Sequence, residues 1–230
     1  MIVTLGTSVG GRIIEACVGG APAGATIMVL AGFHGDEPKS VFVARRLIHL
    51  LESGATVNPS VRWVVVPVVN PDGYERRKRR NANQVDINRN FPTKNWIRTS
   101  KRSRMFGGSA PASEPETRAV IAAVERFKPL RIITIHSING GRQCNNYDGP
   151  GERVAAAMSR VNGYPATSSI GYPTPGSLGT WAGAERNIPT ITLELPSHHS
   201  PKRCWEENRR ALTGQKKGVR MIFSSLLLQI

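Results

Sequence analysis

The chain has 230 residues, 40% of them hydrophobic, and 31 lysines and arginines against 16 aspartates and glutamates give a formal charge of +15. That is enough apolar content for one sizeable core, and a charge of this size attracts anions (nucleic acid, anionic lipid or an acidic substrate) without choosing among them. Cys17, Cys144 and Cys204 are far apart and form no Cys-x-x-Cys, which excludes a full disulfide framework and argues against a cysteine metal site.

No linker, low-complexity block or repeat divides the chain, so a single domain over residues 1–230 is expected. The N-terminus lacks the order of parts of a signal peptide. The apolar end from Met221 to Ile230 is interrupted by Ser224 and Ser225 and is too short to span a bilayer. With the cysteine usage, these features lead to the expectation of a cytoplasmic protein with no membrane partner.

In chain order, Ala25–Gly32 (ATIMVLAG) reads as a buried strand, and Pro38 suits the first turn of a helix carrying Val41, Ala44, Arg45, Ile48 and Leu51. Val61–Val69 is a second buried strand, stopped by Asn70-Pro71-Asp72-Gly73. Ser113-Glu114-Pro115-Glu116 has the pattern of a capping box opening a helix to about Phe127. Leu130–Ile135 is a third strand, Gly151–Val161 a helix, and Thr190–Leu195 a fourth strand. Near-continuous apolar strands between helices predict an α/β fold: a mixed, largely parallel twisted sheet with helices on both faces.

Chemistry-bearing residues cluster at the strand ends. His34 follows the first strand, His136 follows the third, and Glu194 is near the end of the fourth, at the edge where open α/β sheets bind ligands. His34 and Glu37, three apart at a strand-to-helix junction, can turn to one ion. With His136 they make a two-histidine, one-carboxylate set that leaves a zinc position open for water. The pair alone is a weak signal, because a loop histidine and a carboxylate drawn to a helix N-terminus would look the same. His198 and His199 are alternatives to His136, and Asp36 is assigned to orienting a histidine. Glu194, an acid in an apolar strand, has the placing of a base that activates water, although a strand-end ion pair is the plainer reading. Asn88 beside Arg89 suits the grip of a carboxylate. The run from Arg76 to Arg80, with Lys101–Arg104, reads mainly as a solvated basic face; as a nucleic-acid surface it lacks stacking aromatics.

The segments GFHGDE, NPDG, RRNANQVDINRNFP, IHS and TLELP, in this order, resemble those of the zinc carboxypeptidase family, over a span from about Gly32 to Pro196. The resemblance implies one zinc ion on His34, Glu37 and His136, with Glu194 as general base and proton shuttle. It further implies that Arg79 polarises the scissile carbonyl, that Asn88 and Arg89 bind the substrate's terminal carboxylate, and that Tyr172 closes over the substrate. NPDGYERRKRRNANQVDINRNFP with NWIR, GGSAPASEPET and SIGYPTPGSLGTW are most similar to the family's branch acting on murein peptides. This implies a small anionic peptide substrate cut at a γ-D-glutamyl–meso-diaminopimelate bond. A general metallocarboxypeptidase and a zinc deacylase of N-acyl amino acids are the alternatives, and a basic nucleic-acid-binding protein is the alternative of another class. Two departures stand out: Asp36 replaces the usual arginine before the metal-binding glutamate, and Leu178-Gly179-Thr180 supplies no acid for a basic substrate side chain. The segment 213–230 matches no family pattern, and the oligomeric state stays open.

Overall fold

The structure, a computed structural model, describes residues 1–54 and 60–214. The apolar end from Met221 lies outside the described residues, whereas Thr213 closes a helix. The strands are β1 (Ile2–Thr7), β2 (Ile13–Gly20), β3 (Ala25–Ala31), β4 (Val61–Val66), β5 (Arg131–Ile138), β6 (Cys144–Asp148), β7 (Ala166–Thr167) and β8 (Thr190–Pro196). The helices are α1 (Pro38–Glu52), α2 (Pro71–Arg76), α3 (Pro115–Phe127), α4 (Glu152–Asn162) and α5 (Pro201–Thr213). The eight strands form one sheet in the order β1-β2-β4-β3-β5-β8-β6-β7. The central run β4-β3-β5-β8 is parallel; antiparallel pairing enters where β2 meets β1 and β4 and where β6 meets β8.

Side chains alternate across the sheet with period two, so each strand feeds two cores. Ile27, Val29 and Ala31 of β3, Trp63 and Val65 of β4, and Ile133 and Ile135 of β5 face α1, α4 and α5. Met28, Leu30, Val64, Val66 and Ile132 face α3, Phe91 and Trp181. Both faces of the central strands are therefore buried, which is why those strands read as unbroken apolar runs.

Several boundaries differ from the sequence expectation. β4 ends at Val66, before Pro67, which has no N–H to give to the ladder. Asn70-Pro71-Asp72-Gly73 does stop the strand, but it does so by opening α2: Asn70 is the N-cap and its Oδ1 accepts from Gly73 N at 2.9 Å. The capping box at Ser113 is not formed. The N-cap of α3 is Glu114, whose side chain makes no capping bond, because it and Glu116 instead accept from Asn81. β1, β2, β6, β7 and α5 have no counterpart in the sequence reading. No helix of the described residues is long and apolar enough to cross a membrane.

Leu47 of α1 is fully buried in the core under that helix. Leu47→Ala should lower the unfolding free energy by about 2–5 kcal/mol. This is measurable as a fall in the urea midpoint, with the turnover per folded molecule unchanged, since Leu47 reaches no part of the cleft described below.

Candidate active site

The carboxyl ends of β3, β5 and β8 meet at one point of the sheet edge. β3 ends at Ala31 and releases the loop that carries His34 and Glu37. Glu37 is the N-cap of α1, but its carboxylate does not cap the helix; Pro38 fills the first turn and Glu37 turns back to the sheet. His136 lies inside β5, not beyond it, and is in register with Glu194 on the parallel neighbour β8, so the two side chains share a face.

Gly35 is required by space. A Cβ there would lie 1.9 Å from the backbone carbon of Gly73, so the His34 loop packs directly on α2. The buried Asn70 amide joins these pieces, donating to Phe33 O at 3.1 Å and to Arg79 O at 3.3 Å.

The His34, Glu37 and His136 ligand atoms all lie within 4.8 Å of one another. His34 Nδ1 is 2.8 Å from Glu37 Oε1, His136 Nδ1 is 3.1 Å from Glu37 Oε2, and the two Nδ1 atoms are 3.2 Å apart. Ser137 N–H donates to Glu37 Oε2 at 3.0 Å. A single proton among these atoms cannot satisfy both imidazoles and the carboxylate, whereas a cation at their centre satisfies all three. Two imidazoles and a carboxylate with room for a fourth partner are the donor set of a catalytic zinc centre, so the residues fit that ion.

Asp86, 1% exposed, holds the group from behind. Its Oδ1 accepts from His34 Nε2 at 3.1 Å and from Asn88 N at 3.0 Å, and its Oδ2 accepts from Arg79 Nε at 3.0 Å. A carboxylate can only accept here, so the His34 proton sits on Nε2 and Nδ1 can point its lone pair inward. Burial works against charge on His34, but the Glu37 and Asp86 carboxylates outweigh it and lift the metal-free imidazole to about 9. Burial likewise opposes ionisation of Glu37 and Asp86, and the facing imidazoles (with Arg79 for Asp86) hold both carboxyls below their usual range. The centre is built to contain positive charge.

Glu194 is 6% exposed, and its carboxylate forms no hydrogen bond among the described residues. Burial, aided by the nearby Glu37 charge, raises its carboxyl to about 8. A carboxyl that exchanges a proton near neutrality suits general acid–base work. Arg79 stands beside the trio, its Nη1 3.5 Å from Glu37 Oε1. The buried Arg89 donates to Asn88 O at 2.7 Å, forms no ion pair among the described residues and leaves its Nε without an acceptor. Asn88 Oδ1 accepts from Leu178 N at 3.0 Å, which turns its Nδ2 toward His136 Nε2, 3.5 Å away. Tyr172, 44% exposed, is on the outer wall. The eight residues to which the family resemblance gives a role all line one cavity of about 270 Å³.

Other expectations are corrected. Asp36 is exposed and orients no histidine; the orienting carboxylate is Asp86, which was inside the DINRNF segment and betrayed only by its buried apolar neighbours Val85 and Ile87. His199 pairs with Glu207 at 3.0 Å and meets the His198 ring edge to face, so neither replaces His136. The basic run is not one surface: Arg76, Arg77 and Lys78 are exposed, Arg79 enters the cleft, and Arg80 donates to Lys101 O and Ser103 O.

His136→Ala should lose most of the bound zinc, and Asp86→Asn should weaken zinc binding about 10- to 100-fold through the orientation of His34. Both are read by competition with a chelator. Unchanged zinc affinity in Asp86→Asn would remove Asp86 from its supporting role.

Comparison with known proteins agrees with this geometry. The family model for zinc carboxypeptidases matches residues 1–209. Murein peptide amidase A of Escherichia coli K12 is 36% identical over 181 residues, covering 74% of this chain and 70% of the relative. Its counterpart in Vibrio campbellii is 32% identical over 181 residues, with 74% and 68% covered. Among solved structures, murein-tripeptide amidase from Escherichia coli O157 superposes with a TM-score of 0.70 at 32% identity, covering 93% of this chain and 90% of that one. Carboxypeptidase A from Helicoverpa armigera, at 22% identity, shares the fold with a TM-score of 0.77, covering 93% of this chain and 66% of that one. A cleft built around two histidines and a glutamate, on this sheet and with this sequence match, makes the chain a member of the zinc carboxypeptidase family, a hydrolase whose cofactor is zinc.

Proposed function

We propose that this protein hydrolyses the amide bond in front of a C-terminal residue of murein peptides, with His34, Glu37 and His136 holding one zinc ion. The observation that carries the exopeptidase reading is Arg89. A buried guanidinium without an ion pair, on the wall of the cleft that holds the ligand trio, is a receptor for a substrate carboxylate, and Asn88 Nδ2 adds a second donor beside it. The murein assignment is supported by the similarity to the murein peptide amidases, at 36% and 32% identity. The net charge of +15 suits an anionic peptide. By the same resemblance the bond is γ-D-glutamyl–meso-diaminopimelate.

Zinc in this centre supplies a Lewis acid that polarises a carbonyl and acidifies water. The chain does the rest. Asn88 and Arg89 anchor the terminal carboxylate, which brings the preceding amide to the trio and to Glu194. Glu194 takes the proton of the attacking water and passes it to the leaving amine. The Arg79 guanidinium, held by Asp86, faces the oxygen on which negative charge grows. Tyr172 on the outer wall is placed to cover the bound residue.

Glu194→Gln keeps the side-chain shape but cannot take the proton. Zinc should stay bound while kcat falls by roughly 10²–10⁴; near-normal turnover in a zinc-replete variant would end this assignment.

The two arginines separate kinetically. Arg79→Met removes an interaction made mainly in the transition state and should depress kcat about 10²- to 10³-fold with a smaller change in KM. Arg89→Met removes one made equally in the ground state, so KM should rise. Its defect should shrink on substrates whose terminal carboxylate is amidated. Equal defects on free and amidated substrates would show that Arg89 does not hold that carboxylate.

A further inference from the structure

The segment from Arg79 to Arg89 carries two guanidiniums, Asp86 and Asn88 into the cleft, yet its only regular element is a short helical turn, Ile87–Arg89. Two fully buried asparagines give it shape. Asn81 accepts with Oδ1 from Asn83 N at 3.1 Å and from Val85 N at 3.0 Å, which closes the turn that brings Asp86 back to Arg79. Asn90 donates to Gly107 O, Ala110 O and Ser113 Oγ and accepts from Glu114 N at 3.1 Å. Both asparagines lean on the start of α3.

What meets Asn81 there is a pair of carboxylates. Its Nδ2 donates to Glu114 Oε2 at 2.7 Å and to Glu116 Oε2 at 3.0 Å. The two oxygens are therefore no farther apart than about 6 Å, where like charges oppose each other's ionisation. Glu114 is 3% exposed and Glu116 0%, and neither forms an ion pair among the described residues. The cations of the surrounding elements are engaged elsewhere. Arg12 of the β1–β2 turn pairs with Asp72 of α2 at 2.7 Å, and Arg79 pairs with Asp86 at 3.0 Å. Arg80 donates to Lys101 O and Ser103 O, and Arg118 of α3 to Ala112 O and Ser113 O. Two buried anions without a cation are costly, and a single proton removes one of the charges. The hydrogen bonds distinguish the two glutamates. Glu114 accepts from Asn81, from Asn83 Nδ2 at 2.9 Å and from Ser113 Oγ at 2.7 Å. Glu116 accepts from only two other residues, Asn81 and Val9 N at 3.1 Å. Burial, with the Glu114 charge beside it, raises the Glu116 carboxyl above its usual range.

We infer that Glu114 and Glu116 share one proton in the folded protein, carried by Glu116, and that this singly charged pair positions Arg79 and Asp86 through Asn81. Glu114 stays an anion because three neutral donors surround it. Glu116, without its charge, can sit beside Glu114 and hold the same amide. Ionising both would set two anions against each other on one Asn81 and loosen the turn from Arg79 to Asp86. In its effect on turnover the inference rests on the function proposed above; the proton rests on burial and hydrogen bonding alone.

The test has two arms. The first reads the proton. The infrared difference between wild type and Glu116→Gln at neutral pH should show the carbonyl band of one neutral carboxylic acid that the variant lacks; Glu194 contributes to both and cancels. The folded protein binds a proton that the unfolded chain gives up above the ordinary carboxylate range. The urea midpoint of the wild type should therefore fall relative to that of Glu116→Gln as pH rises through and above that range. A missing band, or midpoints that run parallel, overturns the shared proton. The second arm reads position in zinc-loaded protein. Glu116→Gln keeps a neutral side chain of the same shape and should hold kcat near the wild-type value. Glu116→Leu offers Asn81 no acceptor, so kcat per folded, zinc-loaded molecule should fall about 10- to 100-fold with a smaller change in KM, the pattern assigned to Arg79. If Glu116→Leu does not fold, Asn81→Ser, whose side chain is too short to reach the pair, gives the same reading. An unchanged kcat in these variants, or an equal loss in Glu116→Gln, overturns the positioning role. A wild type that cleaves no such peptide sinks the hydrolytic reading, and the first arm still decides the proton.

Discussion

The site depends on one buried carboxylate. Asp86 accepts from His34, Arg79 and the backbone of Asn88 at about the same distance, 3.0–3.1 Å. Each contact fixes a different group. The bond to His34 directs its Nδ1 lone pair at the trio, the bond to Arg79 holds a flexible guanidinium in the cleft, and the bond to Asn88 sets the turn that delivers Asn88 and Arg89. On the function proposed above, metal ligand, oxyanion partner and carboxylate anchor have one origin of coordinates. An ionised carboxylate buried to this degree is tolerated only because cationic and N–H donors surround it, and that full satisfaction makes the arrangement rigid.

The sheet supplies the second constraint. Four neighbouring parallel strands end at one edge, so residues far apart in the chain meet there: His34 after β3, His136 in β5 and Glu194 in β8. Parallel register puts His136 and Glu194 side by side, one prepared for a metal and the other kept protonatable by burial. The helices on either face keep these strands dry. The strand β6 then carries the same face to Asn146 and Asp148, so a single surface runs from Glu194 along the cavity wall.

Charge is distributed to match. Most of the basic run around Arg76–Lys78 is solvated and gives the molecule its general attraction for anions, a long-range effect weakened by salt. Arg79 and Arg89 are withdrawn from that surface into the cavity wall, where water screens them less. Asp148 is the opposite case, an anion set into the cavity of a strongly cationic protein.

The sequence by itself determined the central β–α alternation and which residues line the cleft. The apolar runs of β3, β4, β5 and β8 are long because both faces are covered, and the residues proposed as metal ligands, base and anchor fall at motif positions, several of them at or near the ends of those strands. All eight site residues drawn from it line one cavity. Its limits have physical causes. β1, β2 and β6 lie at or near the sheet margins, where one face is solvated or polar, and Cys144-Asn145-Asn146-Tyr147-Asp148 has no apolar period to betray a strand. α5 buries little beyond Cys204, Trp205, Asn208 and Leu212, too few apolar side chains to stand out from its charged surface. The choice of Asp86 over Asp36 as the orienting carboxylate was hidden, because Asp36 is two residues from His34 in the chain and Asp86 is 52 residues away. Only the packing of the Asp86 segment between β-sheet and cleft buries one of them and leaves the other in water. Asp148 likewise packs on Gly179 and Gly183, more than thirty residues away. Local pattern specifies what an element is and which groups it carries; which of those groups lose water and face one another is settled by tertiary packing alone.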